Sequence, residues 1–133
     1  MWWLLGLISA APLVAWTAHT VLGLELQLQT PSSWLWALAL APILEETAMR
    51  PLLQTGLYRQ LNGTEHWRSH AANVGTALVF SALHMPTHGF LALWWLLPAL
   101  AIGEVWRRSS NWYWCTALHM WFNASLAATS AMS

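Results

Sequence analysis

Long apolar runs and short polar connections alternate along this chain. The first run, Trp2 to Leu24, is long enough to cross the ~30 Å hydrocarbon core of a bilayer at about 1.5 Å per helical residue. A secretory signal peptide would also place an apolar run here. This one lacks a basic leading region and outruns a usual signal core, so a retained transmembrane helix is expected. Glu25 to Ser33 forms a polar connection, and Thr30-Pro31-Ser32-Ser33 offers turn and N-cap chemistry. A second helix is predicted from about Trp34 to Tyr58, with kinks at Pro42 and Pro51. Arg59 to His70 reads as the strongly polar loop, turning at Asn62-Gly63. The third helix, from about Ser69 to Met85, should stop where Pro86 and Gly89 interrupt it. A fourth runs from about Phe90 to Trp106 and a fifth from about Trp112 to Ala131.

The pattern predicts an all-α fold: a polytopic membrane bundle of about five transmembrane helices. It forms a single integral-membrane domain over residues 1–133. With 57% hydrophobic and only 8% charged residues, against about 25% charged in an average soluble domain, composition agrees. All ten formal charges are Arg or Glu and they cancel, which argues against a nucleic-acid partner. Arg59, Arg68, Arg107 and Arg108 fall on one side of the five-helix arrangement, whereas the opposite loops around Glu25 and around Pro86 to His88 carry no arginine. By the positive-inside rule that arginine-bearing side is cytoplasmic, with the N-terminus inside and the C-terminus outside. Trp2, Trp3, Trp67, Trp106, Trp112 and Trp114 near one face, and Trp34 and Trp36 near the other, suit interfacial belts. Cys115 stands alone, so there is no disulfide framework.

Three polar patterns break these apolar stretches: Glu45-Glu46-Thr47-Ala48-Met49-Arg50, Phe80-Ser81-Ala82-Leu83-His84 and His119-Met120-Trp121-Phe122-Asn123. Charge or imidazole at membrane depth is expensive, and such groups usually face a cavity and mark function. Counted from the arginine-bearing ends of their helices, Glu45, His84 and His119 lie roughly 16 to 21 Å below the same face. Residues far apart in sequence thus reach one level of the bilayer.

Each pattern has a chemical and a structural reading. Glu46 and Arg50 are i,i+4 neighbours, whereas Glu45 lies about 100° round the helix. Glu46 is therefore assigned to an ion pair with Arg50. Glu45 is left to face a cavity as a general base, its pKa raised by desolvation, or to serve as a second acceptor for Arg50. His84, one turn after Phe80, is a candidate for water activation or a satisfied core histidine. His119 and Asn123 share a helix face. They suit either a developing oxyanion or an interhelical hydrogen bond. His84 and His88 also form an H-x-x-x-H pair of the kind that binds zinc on a helix. Pro86 disturbs that alignment and makes His88 a loop residue. His19, His66 and His70 read as structural or solvated, and Gly103 as a close-packing contact. The sequons at Asn62 and Asn123 are set aside, the first as cytoplasmic and the second as buried.

In combination, E-E-x-x-x-R, F-x-x-x-H and H-x-x-x-N on three successive apolar segments resemble the signature of the CPBP intramembrane proteases. That family includes the type II CAAX prenyl endopeptidases and bacterial relatives linked to bacteriocin processing or immunity. The resemblance spans about Ile43 to Asn123. It implies that Glu45 and His84 activate the attacking water and that His119 and Asn123 stabilise the tetrahedral oxyanion. Glu46, Arg50 and Phe80 would support the site. It implies a membrane-embedded or membrane-anchored protein or peptide substrate; no cofactor-binding loop appears, and a multi-pass position in a bacterial or archaeal inner membrane is expected. Flanking spans of larger members are absent, which allows for homo-oligomerisation.

Three functions compete on these residues. The first is a glutamate-dependent intramembrane endopeptidase without a covalent intermediate. A Cys115–His119 pair, four residues apart, is the nucleophilic variant, and it lies outside the family signature. The second is a zinc-dependent protease with Glu45, His84 and His119 as ligands. The third is a non-enzymatic membrane protein, an immunity factor or scaffold, whose polar residues serve packing alone.

Overall fold

The computed structural model describes residues 2–26 and 28–131. Among them every regular element is helical. Helix α1 spans Trp2–Leu22 with Pro12 inside it. It ends where Gly23 takes φ +64° and donates its N–H to the His19 carbonyl at 2.9 Å, the left-handed cap that glycine adopts without a Cβ penalty.

The next helical run extends from Pro31 to Gln60 in five pieces. These are α2 (Pro31–Leu35), a π segment Trp36–Leu40, α3 (Ala41–Thr47), a second π segment Ala48–Gln54, and α4 (Thr55–Gln60). Its start is a reciprocal cap. Thr30 Oγ1 accepts from the Ser33 N–H at 3.2 Å, and Ser33 Oγ accepts from the Thr30 N–H at 3.0 Å, with Pro31 in the first turn. Pro51 lies inside the second π segment. A proline removes one amide from the ladder and crowds the carbonyl four residues back. Widening the turn by a residue relieves both, so Thr55 donates its N–H to the Arg50 carbonyl.

Helix α5 (Glu65–His88) is longer at both ends than the apolar pattern predicts. Thr64 caps it through the Trp67 N–H, so the polar stretch after residue 64 is solvated helix rather than loop. At the other end the helix continues through Pro86 and stops at Gly89, with φ +58°. His88 is therefore a helical residue, not a loop residue. A 3₁₀ segment (Gly89–Trp95) then leads into α6 (Leu96–Ser109), which Ser110 closes in the left-handed region. Asn111 Oδ1 accepts from the Tyr113 N–H at 3.0 Å, and α7 runs from Trp112 to Ser130.

The chain divides into two units, and the boundaries fall inside α3 and α7. One comprises residues 1–44 and 116–133. Within it the Trp121 indole donates to the Ile8 carbonyl at 2.9 Å, and α1 buries Ala11, Ala15 and Ala18. The other unit, Glu45–Cys115, has a core of Met49, Ala77, Phe80 and Ala99, with Leu53, Trp95, Leu96 and Leu100 packed against it. Ser81 there donates to the Ala92 carbonyl at 2.6 Å, fastening α5 to the 3₁₀ segment.

Beyond its first turns helix α5 is apolar outside, and it buries polar side chains beside the apolar Ala72, Ala77 and Phe80. It exposes Val74, Leu78, Val79 and Leu83 while burying Asn73, Thr76 and Ser81. That inversion suits a helix whose surroundings are hydrocarbon, where polar groups must find partners within the protein. Two helical runs among the described residues, Trp2–Leu22 and Glu65–Ser109, are long and apolar enough to cross a membrane. Replacing Ser81 with Ala should destabilise the detergent-solubilised protein by about 1 kcal/mol, the worth of one buried hydrogen bond. Leu83→Ala, at a position 62% exposed, should shift the melting temperature less. Thermal melting of both variants beside wild type measures the difference.

Candidate functional site

In the unit Glu45–Cys115, a line of polar side chains follows one face of the second helical run. Glu46 and Arg50 are both fully buried, and Gln54 nearly so. Arg50 Nε donates to Glu46 Oε2 at 2.7 Å, and Nη1 to Gln54 Oε1 at 3.0 Å. Its Nη2 reaches across to the Ala99 carbonyl of α6 at 3.3 Å. Gln54 Nε2 repeats that reach, donating to the Gly103 carbonyl at 3.0 Å. Arg50 therefore shares its charge with a carboxylate and gives two further N–H donors to an amide and a helix carbonyl. Arginine suits this role because its planar fork serves several acceptors at once and stays charged when buried.

Close approach of α6 makes the arrangement possible. Asn73 Nδ2 donates from α5 to the Leu100 carbonyl at 3.1 Å. A Cβ built on Gly103 would stand 1.8 Å from Asn73 Oδ1 and 2.9 Å from Arg50 Nη1. The first distance is far inside the contact limit of non-bonded atoms, so any side chain at position 103 would force Asn73 to move. Gly103 is thus the packing contact its place in an apolar helix suggests, and its neighbour is the buried arginine itself.

Glu45, half-buried, is the residue before Glu46 in α3. His84 lies in the same unit, on α5. Its Nδ1 is 2.9 Å from the Phe80 carbonyl oxygen. A carbonyl can only accept, so Nδ1 is the donor, and in the neutral ring the lone pair is then on Nε2. That is the tautomer a base or a metal ligand needs. The Phe80 ring packs on the imidazole with centroids 4.5 Å apart, so the F-x-x-x-H spacing fixes both tautomer and orientation within one helical turn. His88 follows one turn later, its ring stacked 6.4 Å from that of His84, and Trp95 packs about 6 Å from both.

In the other unit, His119 is buried and Asn123 half-buried, one turn apart on α7. Asn123 Nδ2 donates to the Ala37 carbonyl at 2.7 Å, within the first π segment. This is an interhelical hydrogen bond, and it uses one of the two amide protons, leaving the other and Oδ1 for further chemistry. Cys115 is buried with Sγ 3.7 Å from the Ile102 carbonyl, the contact of a packed thiol. Among the described residues, no three or more His, Cys, Asp or Glu side chains are gathered so that they could hold a metal ion.

Sequence reasoning singled out Glu46 and Arg50 and missed Gln54 and Asn73. Gln54 was within reach, because E-x-x-x-R-x-x-x-Q continues the same i,i+4 line. The signal for Asn73 was weaker: an amide inside an apolar helix.

Replacing Gly103 with Ala should destabilise the protein by about 1–3 kcal/mol through overpacking. Gly6→Ala, at a helical position with nothing within 4 Å of the added carbon, should stabilise by about 0.4–1 kcal/mol through the unfolded chain. Melting of the two variants in one detergent separates the steric effect from the general one.

A family model described as "Type II CAAX prenyl endopeptidase Rce1-like" matches residues 27–125, most of the chain and all three motifs. No curated protein and no solved structure matches it.

Proposed function

We propose, for a chain that belongs to the Rce1-like type II CAAX prenyl endopeptidase family, that it is an intramembrane endopeptidase. It hydrolyses a peptide bond of a membrane-associated protein or of a membrane-anchored sorting tag. Water is activated by Glu45 with His84 and attacks the scissile carbonyl. The proton passes to this pair and from it to the leaving amine. His119 and Asn123 donate to the oxyanion, and no acyl-enzyme forms. The observation that carries this reading is the orientation of His84, whose Nδ1 is held on the Phe80 carbonyl, which leaves Nε2 as the nitrogen to take a proton in the neutral ring. The Glu46–Arg50–Gln54 line supports Glu45 from the adjoining position, because two buried hydrogen bonds from Arg50 and Gln54 to carbonyls of α6 resist rotation of the helix that carries the neighbouring carboxylate.

In this reading the protein crosses the membrane about five times with its N-terminus in the cytoplasm. The arginine distribution favours that orientation, and in this reading the protein sits in a bacterial or archaeal inner membrane and can self-associate.

The test is hydrolysis of a library of transmembrane and C-terminal-tag peptides by detergent-purified protein. Glu45→Gln and His84→Ala should each lower kcat by about 10²–10⁴, the usual worth of a general base, with melting temperatures near wild type. Asn123→Ala should cost about 10²–10³ in kcat. Cleavage that survives Glu45→Gln would reject the mechanism. Loss of cleavage on exhaustive chelation, restored by zinc, would move Glu45 and His84 to metal ligands. A biological role that persists in the Glu45→Gln, His84→Ala double variant would favour a scaffold.

A further inference from the structure

Away from the motif residues, the unit Glu45–Cys115 contains a cavity of about 320 Å³, at the lower end of the range for small-molecule sites. Tyr58 from α4, Glu65 and Ser69 from α5, Arg107 from α6 and Ser110 line it, and Gln54 contributes at one end. It sits where the C-terminal end of α4, the N-terminal end of α5 and the C-terminal end of α6 meet. Four of the five arginines of the chain, Arg59, Arg68, Arg107 and Arg108, belong to these helix ends. Tyr58, Trp67 and Trp106 accompany them. Aromatic and arginine side chains together at helix ends mark the headgroup level of a membrane.

Most of the lining surface is apolar, with Ala72 and Trp106 among the lining residues, and the polar groups set into it have bonding capacity to spare. Arg107 spends Nε and Nη2 on Glu104, at 2.6 and 2.5 Å, which leaves Nη1. Arg108 also donates to Glu104, so this three-residue cluster keeps one net positive charge. The Tyr58 hydroxyl, the Ser110 hydroxyl and the Glu65 carboxylate have no hydrogen-bond or ion-pair partner among the described residues. The Tyr58 carbonyl and ring are, by contrast, occupied by Arg68. One cavity therefore presents a cationic donor and two hydroxyls together with a single carboxylate.

A bare anion would meet repulsion from Glu65, and a bare cation would leave the Arg107 cluster unserved. A ligand carrying both charges a few bonds apart satisfies all of them. We infer that this cavity binds a phosphoethanolamine group, its phosphate on Arg107 and the hydroxyls of Tyr58 and Ser110, its ammonium on Glu65. The position at the helix ends makes a membrane phospholipid headgroup the natural source, and a soluble glycerophosphoethanolamine offers the same chemistry. The inference does not depend on the catalytic roles proposed above, and its readout is binding rather than hydrolysis.

The experiment is calorimetric titration of the full chain in detergent with short-chain phosphatidylethanolamine, phosphatidylcholine and phosphatidylglycerol, and with glycerophosphoethanolamine. The ethanolamine lipid should bind at least about tenfold more tightly than the other two, since a charge-assisted hydrogen bond to Glu65 is available to it alone. Choline has no N–H to donate, and glycerol has no cation. Glu65→Gln, at an exposed first-turn position, should remove the preference while leaving the melting temperature in place. Tyr58→Phe should weaken all phosphate-bearing ligands alike. Glycerophosphoethanolamine binding as tightly as the lipid would identify a soluble ligand, and much weaker binding would identify the lipid; both outcomes support the assignment. Equal affinity for the three headgroups would overturn it, as would an ethanolamine preference that survives Glu65→Gln. Displacement of the lipid by a tag peptide bound in its place, without headgroup selectivity, would overturn it too and assign the cavity to substrate.

Discussion

The architecture of the unit Glu45–Cys115 depends on a buried ion pair that has no water to fall back on. Glu46 and Arg50 are wholly enclosed, and a charge in that setting is tolerable only if every donor and acceptor is used. Most of what surrounds the pair serves that requirement. Gln54 takes one guanidinium nitrogen, the Ala99 carbonyl takes another, and Gly103 has no side chain because Asn73 and Arg50 occupy the space one would need. Three helical segments distant in sequence are thereby committed to one spacing. A hydrophobic contact could slide by a fraction of an ångström at small cost; this one cannot.

The helix that carries the pair is itself adapted to it. Pro51 immediately follows Arg50, where an ordinary α-helix would lose a bond and suffer a clash. The π segment Ala48–Gln54 absorbs the proline without breaking the run. Inserted π turns occur most often at functional positions. Here the wide turn contains Arg50 and Gln54, which bond across to α6. The first π segment plays a comparable part in the other unit, where its Ala37 carbonyl accepts from Asn123.

Much of this was legible in the residues. Amphiphilic runs and polar breaks located the helices around Trp2, Trp34, Phe90 and Trp112, and the Thr30-Pro31-Ser32-Ser33 cap was readable residue by residue. The i,i+4 rule paired Glu46 with Arg50. Two things escaped for physical reasons. Pro86 was given the power to stop α5, but a proline in an apolar setting weakens a helix without ending it; Gly89, with its positive φ, ends it instead. Glu65 to His70 looked like loop because they are polar, although Thr64 and Glu65 form a helix start whose first turns are simply solvated. The contacts of Arg50 with α6 could not be read at all, since backbone carbonyls leave no mark in a sequence.

Glu46 and Arg50 act as one energetic unit. A double-mutant cycle tests it directly, with Glu46→Leu, Arg50→Leu and the double variant unfolded in the same detergent. Each single variant strands a buried charge and should lose about 3–5 kcal/mol, while the double variant should lose far less than the sum. Additive losses would mean that the two side chains contribute independently, and the lock would then be a coincidence of spacing.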